Sequence, residues 1–243
     1  FYTPREIVNY MVDESLIAYL GDTPLIRSLF ENNFSLDKNH ADDYILIADK
    51  LKNIKIIDPA CGSGAFPMGL LNRMVDILLR ISPNEKVYDL KLAIIENCIY
   101  GSDIQRIAAQ ITKLRFFISL ICSCEKDATK PNFGIPTLPN LETKFVAANS
   151  LISKKRQVSR NLFENPEIEP TKEELTRIRH EHFSAKTANR KSILREQDQI
   201  LREKLAKLLA DDEDFAPEDA KQLAAWNPYD QNAESPFFDP AWM

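Results

Sequence analysis

The chain has 243 residues, of which 44% are hydrophobic and 28% are charged, and its formal net charge is −5. This composition is typical of a globular protein and excludes a disordered one. The acidic balance excludes a generally basic nucleic-acid-binding protein, so any nucleic acid would have to meet a local basic patch.

The four cysteines form no C-x-x-C pair, so they support neither a disulfide framework nor a zinc site, and we expect no metal. Unpaired cysteines favour a reducing, cytoplasmic setting. No apolar run approaches the ~20 residues of a membrane-spanning helix, and we expect no membrane partner.

The first segment predicts an amphipathic helix. Thr3 stands at an N-cap position, Pro4 at the first helical position and Glu6 three residues after Thr3, which is a capping box with a first-turn proline. Apolar residues recur at helical spacing as far as Leu20, and a turn at 21–24 ends the helix. Residues 44–51 predict a helical turn or two before the first strand.

A strand, a glycine loop and a helix follow one another between Ile54 and Ile81. A β-branched run ends at Asp58, the turn Gly62-Ser63-Gly64 follows, and an apolar helix then begins. This order is typical of a nucleotide-type cofactor site, where a ligand meets a strand end and a helix N-terminus. Pro67 replaces the third glycine of a dinucleotide fingerprint, and no Lys-Ser/Thr follows the glycines, so both that fingerprint and a P-loop are excluded.

The next segments continue this alternation. We predict helices at 86–96 and 105–121 and strands at 98–104 and 144–149, of which the first ends beside Asp103. The β-α-β-α-β order predicts an α/β fold with parallel strands. The second helix carries an apolar stripe formed by Ile107, Ile111, Leu114, Phe117, Ile118 and Ile121.

Residues 171–209 contain neither proline nor glycine and predict a long helical segment, with Thr171 as its N-cap and Glu174 at the third helical position. Two interpretations of its basic residues stay open. They can form the solvated face of a helical hairpin that packs by its leucines, or an arm that contacts DNA phosphates. The basic residues are Lys172, Arg177, Arg179, Lys186, Arg190, Lys191, Arg195, Arg202, Lys204 and Lys207.

Four motifs in this chain resemble those of the N6-adenine DNA methyltransferases. The string from Asp58 to Phe66 resembles the S-adenosylmethionine loop of that family, and Phe1-Tyr2-Thr3-Pro4 resembles its N-terminal cofactor motif. The segments 101–104 and 148–151 resemble its second-strand and third-strand motifs. Their order is that of the gamma class, and the resemblance is to the methyltransferase region of type II or type I-like restriction–modification enzymes.

The resemblance implies a Rossmann-like class I methyltransferase sheet, with an N-terminal helical cap and a C-terminal helical insertion, and S-adenosyl-L-methionine as cofactor. It implies that Thr3 and loop amides donate to the methionine carboxylate and that Asp58 accepts from the ammonium. It further implies that Asp103 holds the ribose diol while Ile104 and Asn149 contact the adenine. The implied cofactor-binding residues are Thr3, Pro4, Asp58, Pro59, Ala60, Cys61, Gly62, Gly64, Asp103, Ile104, Asn149 and Ser150.

Catalysis in that family uses an Asn-Pro-Pro-Tyr loop, which accepts from the target amine and stacks on an adenine flipped out of double-stranded DNA. The chain contains no such tetrapeptide. Asn227-Pro228-Tyr229 lacks one proline and follows a helical segment, so we expect it to be a lookalike. We therefore interpret the chain as an inactive fragment, truncated before the fourth strand, whose catalytic loop lies beyond Met243.

The resulting organisation has a cofactor-binding core at 1–152, a linker at 153–170, a helical insertion at 171–225 and a tail at 226–243. Two other functions stay open. One is a methyltransferase that acts on RNA or on a protein amide, because the strand–glycine–helix arrangement is shared. The other is a non-catalytic DNA-interaction module whose working surface is the basic helical segment.

Overall fold

The structure, a computed structural model, describes residues 3–152, 165–211 and 217–235. Within these ranges no helix is long and apolar enough to cross a membrane. The helices are α1 (Arg5–Leu20), α2 (Pro24–Ser28), α3 (Ala41–Asn53), α4 (Ala65–Ile81), α5 (Val87–Asn97), α6 (Arg106–Ile121), α7 (Ile168–Ser184), α8 (Ala188–Asp211) and α9 (Pro217–Ala225), and the strands are β1 (Ile56–Asp58), β2 (Ile99–Asp103) and β3 (Phe145–Ala147).

The chain divides into two compact units. The first contains residues 1–101 and 111–136, and the second contains residues 102–110 and 137–243. Both β2 and α6 contribute to the two units. Most of the predicted linker, residues 153–164, lies outside the described residues, as do residues 1–2 and the end of the predicted tail, 236–243.

Helix α4 is the centre of the first unit, where α1, α3 and α5 pack against it. Its apolar positions recur on most of its circumference, so Leu71, Met74 and Ile77 are fully buried. Gly69 allows α1 to approach closely, because a Cβ there would lie only 2.6 Å from Cγ1 of Val8. This packing fixes the first turn of α4, which follows the glycine loop.

The strands form one sheet in the order β1-β2-β3. β1 and β2 are parallel, with Ile56 opposite Ile99 and Asp58 opposite Gly101. At the end of β2, the carbonyl of Asp103 accepts from the N–H of Ala148 at 2.9 Å. The structure thus contains the small parallel sheet of an α/β methyltransferase-like fold, and the three strands lie within the predicted segments.

The second unit is largely helical. Helices α7 and α8 pack together as a hairpin, and α9 packs on α8. Their shared core consists of Ile168, Leu175, Leu205, Ala206, Leu209 and Ala220. After α9 the chain returns to β3, where Ser235 forms a parallel bridge with Ala148 that the sequence did not predict.

The predicted capping box at the start of α1 is wrong. The helix begins at Arg5, one residue later than predicted, and no side chain caps it. A side-chain cap occurs instead at α2, where Oγ1 of Thr23 accepts from the N–H of Ile26 at 3.3 Å. Helix α3 is also longer than the predicted turn or two, because it continues to Asn53.

The apolar stripe on α6 is exposed at most of its positions. Ile107, Leu114 and Ile118 are each more than half exposed. The buried face of α6 is formed by Ala108, Ala109, Thr112, Phe116 and Leu120. On that face Thr112 packs closely against Gly64 of the glycine loop.

The basic segment is two helices rather than one. Helix α7 begins at Ile168, before Pro170, and an extended residue at Ala185 ends it before α8 starts. Proline is tolerated there because the first N–H groups of a helix have no intrahelical acceptor. Thr171 is therefore not a cap, and its Oγ1 instead donates to the carbonyl of Glu167 at 2.6 Å.

Candidate functional site

The glycine loop between β1 and α4 has the backbone conformation that only glycine adopts readily. Gly62 and Gly64 both have positive φ, of 52° and 85°. The N–H of Gly64 donates to the carbonyl of Cys61 at 2.8 Å and tightens the turn. Asp58 ends β1, and its Oδ1 accepts from the N–H of Ala60 at 3.1 Å, so the carboxylate organises the start of the loop.

Helix α6 holds this loop through two side chains that the sequence analysis did not identify. Oγ1 of Thr112 donates to the carbonyl of Gly62 at 3.0 Å, and Nη1 of Arg115 donates to the carbonyl of Ser63 at 2.8 Å. Thr112 also lies against Gly64, where a Cβ would come within 2.8 Å of its Oγ1. These contacts join residues about fifty positions apart, so no local sequence pattern could have indicated them.

The space beside Gly62 differs from that beside Gly64. A Cβ at Gly62 would meet no heavy atom within 4 Å. The loop thus presents an open backbone surface at Gly62 and a packed one at Gly64. Cys61 is buried, whereas Pro59 and Ala60 are exposed. Open space at a left-handed glycine fits the close approach of a ligand to the backbone, so the loop fits a nucleotide-type cofactor.

Thr3 and Pro4 lie just before α1. Thr3 is half-buried and, together with Ala65 at the start of α4, lines a cavity of about 710 Å³ in the first unit. Pro4 is exposed, and its carbonyl accepts from the N–H groups of Ile7 and Val8. A hydroxyl donor therefore lies in the same cavity as the first residue of the helix that follows the glycine loop.

The remaining predicted cofactor residues belong to the second unit. Asp103 ends β2, and its Oδ1 accepts from the N–H of Gln105 at 2.8 Å. Ile104 next to it is 64% exposed, so its side chain is available to an aromatic ring. Asn149 and Ser150 follow β3, and Oδ1 of Asn149 accepts from the N–H of Leu151 at 3.1 Å. Because the end of β2 is bonded to the end of β3, this unit brings Asp103 and Asn149 to the same edge of the sheet.

The tripeptide Asn227-Pro228-Tyr229 forms a turn in which Oδ1 of Asn227 accepts from the N–H of Tyr229 at 3.1 Å. The ring of Tyr229 is buried against His182, with 4.6 Å between the ring centroids, and its hydroxyl donates to Oδ1 of Asp198 at 2.9 Å. Burial, followed by the charge of Asp198, raises the pKa of Tyr229. Its faces are therefore occupied by protein, which is the opposite of what stacking on a base requires.

Asp198 is the centre of a buried network that joins α7, α8 and this turn. Burial by itself would raise the pKa of Asp198, but Arg179 and Arg202 outweigh that effect and hold the pKa below its ordinary value. Their Nε atoms donate to the two carboxylate oxygens at 2.8 and 2.6 Å. Two of the ten basic residues of this region are thus internal structural cations.

Most of the other basic side chains on α7 and α8 are also paired. Nη2 of Arg177 lies 2.5 Å from Glu174, Nζ of Lys204 lies 2.9 Å from Glu167, and Arg190 pairs with Glu181. Hydrogen bonding to Arg177 lowers the pKa of Glu174. These pairs fit the solvated-hairpin interpretation better than a phosphate-binding arm, which requires available cations.

Among the residues that the structure describes, no group of three His, Cys, Asp or Glu side chains is placed to hold a metal ion. The glycine loop and the carboxylates of Asp58 and Asp103 offer hydrogen-bond donors and acceptors.

Comparison with known proteins identifies the family. The family model of the MmeI DNA-methyltransferase domain matches residues 35–169, which is more than half of the chain. A protein of Methanocaldococcus jannaschii, whose name describes a type II restriction enzyme and methyltransferase, is 34% identical over 172 residues, which cover 63% of this chain and 14% of that protein. The chain thus spans a small part of this relative. The chain belongs to the MmeI DNA-methyltransferase domain family.

Proposed function

We propose that this chain is the S-adenosylmethionine-binding region of a gamma-class DNA methyltransferase that modifies adenine at N6 in a restriction–modification system. One observation carries the proposal. The loop after β1 contains two left-handed glycines, of which Gly64 packs against Thr112 while Gly62 faces open space. This arrangement suits a ligand that approaches the backbone closely at the end of a strand.

Each predicted residue has a role in the proposal. Thr3 and the N–H groups at the start of α4 donate to the carboxylate of the methionine part, and Asp58 accepts from its ammonium. Pro59, Ala60 and Cys61 shape the loop between Asp58 and Gly62.

In the second unit Asp103 accepts from the two ribose hydroxyls, since a carboxylate can accept two hydrogen bonds at once. Ile104 packs on a face of the adenine ring, and Asn149 with Ser150 bonds its polar edge. The bound cofactor would supply an electrophilic methyl group; the residues named here bind and orient it.

The proposal assigns no catalytic role to Asn227, Pro228 or Tyr229. Transfer to an exocyclic amine requires acceptors that orient the NH2 group and an aromatic face for the flipped base. Tyr229 is 7% exposed, and its hydroxyl is bonded to Asp198. We propose instead that this turn anchors the segment after α9, and that an Asn-Pro-Pro-Tyr loop outside these residues presents the adenine of double-stranded DNA.

Calorimetric titration of the chain with S-adenosylmethionine tests the cofactor assignment. We expect binding that Asp103→Ala weakens at least tenfold, because one bidentate acceptor for the ribose is lost. Asp89→Ala, an exposed carboxylate on α5, is the matched control and should leave the affinity unchanged. Equal affinities for the chain and for Asp103→Ala would refute the assignment.

The base assignment needs the intact enzyme and duplex DNA. Mass spectrometry of the digested product should contain N6-methyladenine. Detection of methylcytosine would refute this part of the proposal. So would methylation of RNA or of a protein amide while the DNA stays unmethylated. The 243-residue chain alone should give no methylated DNA, and turnover by it would refute the assignment of the acceptor groups to other residues.

A further inference from the structure

The cavity beside α1 and α4 is much larger than the contact made by Thr3 and Ala65 requires. It has a volume of about 710 Å³ and belongs entirely to the first unit. Three arginines, two aspartates and three asparagines contribute to its lining. They are Arg5, Arg73, Arg115, Asp13, Asp76, Asn9, Asn32 and Asn72.

The two acidic residues of the lining are paired with arginines: Arg73 contacts both of them, and Nη2 of Arg80 lies 3.1 Å from Asp76. Nε and Nη2 of Arg73 donate to the two oxygens of Asp13 at 2.6 and 2.8 Å, and Nη1 lies 3.0 Å from Asp76. Nη2 also donates to the carbonyl of Phe30 at 2.8 Å. Arg73 is therefore engaged within the wall, and the remaining charge of the lining comes from Arg5 and Arg115.

Neither of these two arginines has a carboxylate partner in the described part of the chain. Arg5 is exposed on the first turn of α1. Arg115 is half-buried, and its Nη1 donates to the carbonyl of Ser63, which places the guanidinium beside the glycine loop. The neighbouring asparagines are exposed, so the cavity presents two cations and neutral amide donors, with its own carboxylates already paired.

We propose that this cavity binds the phosphodiester backbone of nucleic acid. Arginine and asparagine side chains are common donors to backbone phosphates, and they read no base sequence. Only Nη1 of Arg115 is bonded to Ser63, and a guanidinium has further N–H groups that can contact a phosphate in a bidentate way. The exposed arginine and asparagines of the lining suit a polymer that passes over the surface, whereas small-molecule pockets are mostly apolar and enclosed.

The cavity is a better candidate for phosphate contacts than the basic hairpin of α7 and α8. Seven of the ten hairpin cations are paired with carboxylates, namely Lys172, Arg177, Arg179, Arg190, Arg195, Arg202 and Lys204. A paired cation must give up its partner before it can release counterions on binding DNA. Arg5 and Arg115 have no such cost.

This inference rests on the proposed DNA substrate and is tested separately from the cofactor site. The affinity of the chain for a fluorescein-labelled duplex is measured by anisotropy between about 50 and 200 mM salt. Arg5→Gln with Arg115→Gln should lower the slope of log affinity against log salt by about 1.8, because each phosphate contact contributes about 0.9. Arg5→Gln alone, whose side chain supports no fold contact in the described chain, should lower it by about 0.9.

Two variants serve as controls. Arg177→Gln with Arg190→Gln removes the same charge from the paired hairpin and should leave the slope unchanged. Arg115→Lys keeps a cation in the cavity and should retain the slope. An unchanged slope in the cavity variant, or an equal fall in the hairpin variant, would overturn the inference.

Two further titrations complete the test. In the first, adenosine monophosphate is the probe. If it binds only when both arginines are present, while duplex binding requires neither arginine, the cavity binds a free phosphate monoester and the backbone assignment is overturned. Calorimetry with S-adenosylmethionine on Arg5→Gln should give the affinity of the unchanged chain. Absence of cofactor binding in the unchanged chain would refute the proposed function while leaving the salt-slope result to decide the cavity.

Discussion

Replacement of Gly64 by alanine tests how the glycine loop is held. Gly64 has a φ of 85°, so any side chain there is in the left-handed region. That conformation costs about 1–2 kcal/mol for a residue with a Cβ. The new Cβ would also lie 2.8 Å from Oγ1 and 2.9 Å from Cγ2 of Thr112, distances that require movement of a fully buried side chain.

Gly62→Ala is the matched comparison. Its φ of 52° gives a similar conformational cost, but the Cβ would meet nothing within 4 Å. We therefore expect Gly62→Ala to lower the free energy of unfolding by about 1 kcal/mol, and Gly64→Ala to lower it by about 3 kcal/mol, since overpacking commonly adds 1–3 kcal/mol. The difference between the two variants isolates the steric contact with Thr112.

Urea denaturation followed by far-UV circular dichroism measures both values. Adding Thr112→Ala to Gly64→Ala removes both close atoms. The double variant should therefore lose less free energy of unfolding than the sum of the two single variants, by about 1 kcal/mol or more. Equal destabilisation by the two glycine variants, or strict additivity in the double variant, would contradict the packing argument. Gly62→Ala should lower the affinity for the cofactor more than Gly64→Ala does, because we propose that the ligand lies on the open side of Gly62.

The other predictions concern the buried network of the second unit. Asp198→Asn should lower the free energy of unfolding by about 3–5 kcal/mol, because it leaves two buried guanidinium groups without a counter-charge; Tyr229→Phe should cost only about 1 kcal/mol, and a denaturation series that gave equal losses would contradict this. Since the folded pKa of Asp198 is below its unfolded value near 3.8, its contribution is present above about pH 4 and is lost as the pH falls through the folded pKa, which acid titration of unfolding should record and Asp198→Asn should lack. Burial lowers the pKa of His182 below 6.5, so the unfolded chain takes up a proton that the folded chain does not, and stability should fall as the pH drops below about 6.5. His182→Gln should reduce the difference between the urea midpoints measured at about pH 7.5 and about pH 5.5, which lie roughly one unit either side of the ordinary imidazole pKa. An unchanged pH dependence would exclude His182 as its source. The charges that face this ring are Glu142, Arg195, Lys191 and Asp198.

The sequence predicted the parts of the fold that depend on local patterns. The β-branched run before Asp58, the glycines after it and the apolar repeat of α4 each specify their own element, and the structure has strand, loop and helix there. Strand ends carrying Asp103 and Asn149 also followed from alternation of periodicities. Each of these features depends only on residues that are close to it in the sequence, so a local pattern is enough to predict it.

Features that depend on contacts distant in sequence could not be predicted in this way. Thr112 and Arg115 hold a loop about fifty residues earlier, and only the packed chain brings them together. The stripe of large apolar residues on α6 is exposed at most of its positions, and the buried side of the helix includes Thr112, which lies against Gly64. The burial of Tyr229 similarly depends on a carboxylate on α8.

Amide hydrogen exchange with and without S-adenosylmethionine tests the central claim most directly, namely that the glycine loop after β1 holds the cofactor. The account predicts slower exchange at the N–H groups of residues 60–65 and 103–105 on addition of the cofactor, with α7 and α8 unchanged. Cofactor binding that protected other segments and left residues 60–65 unchanged would contradict the account.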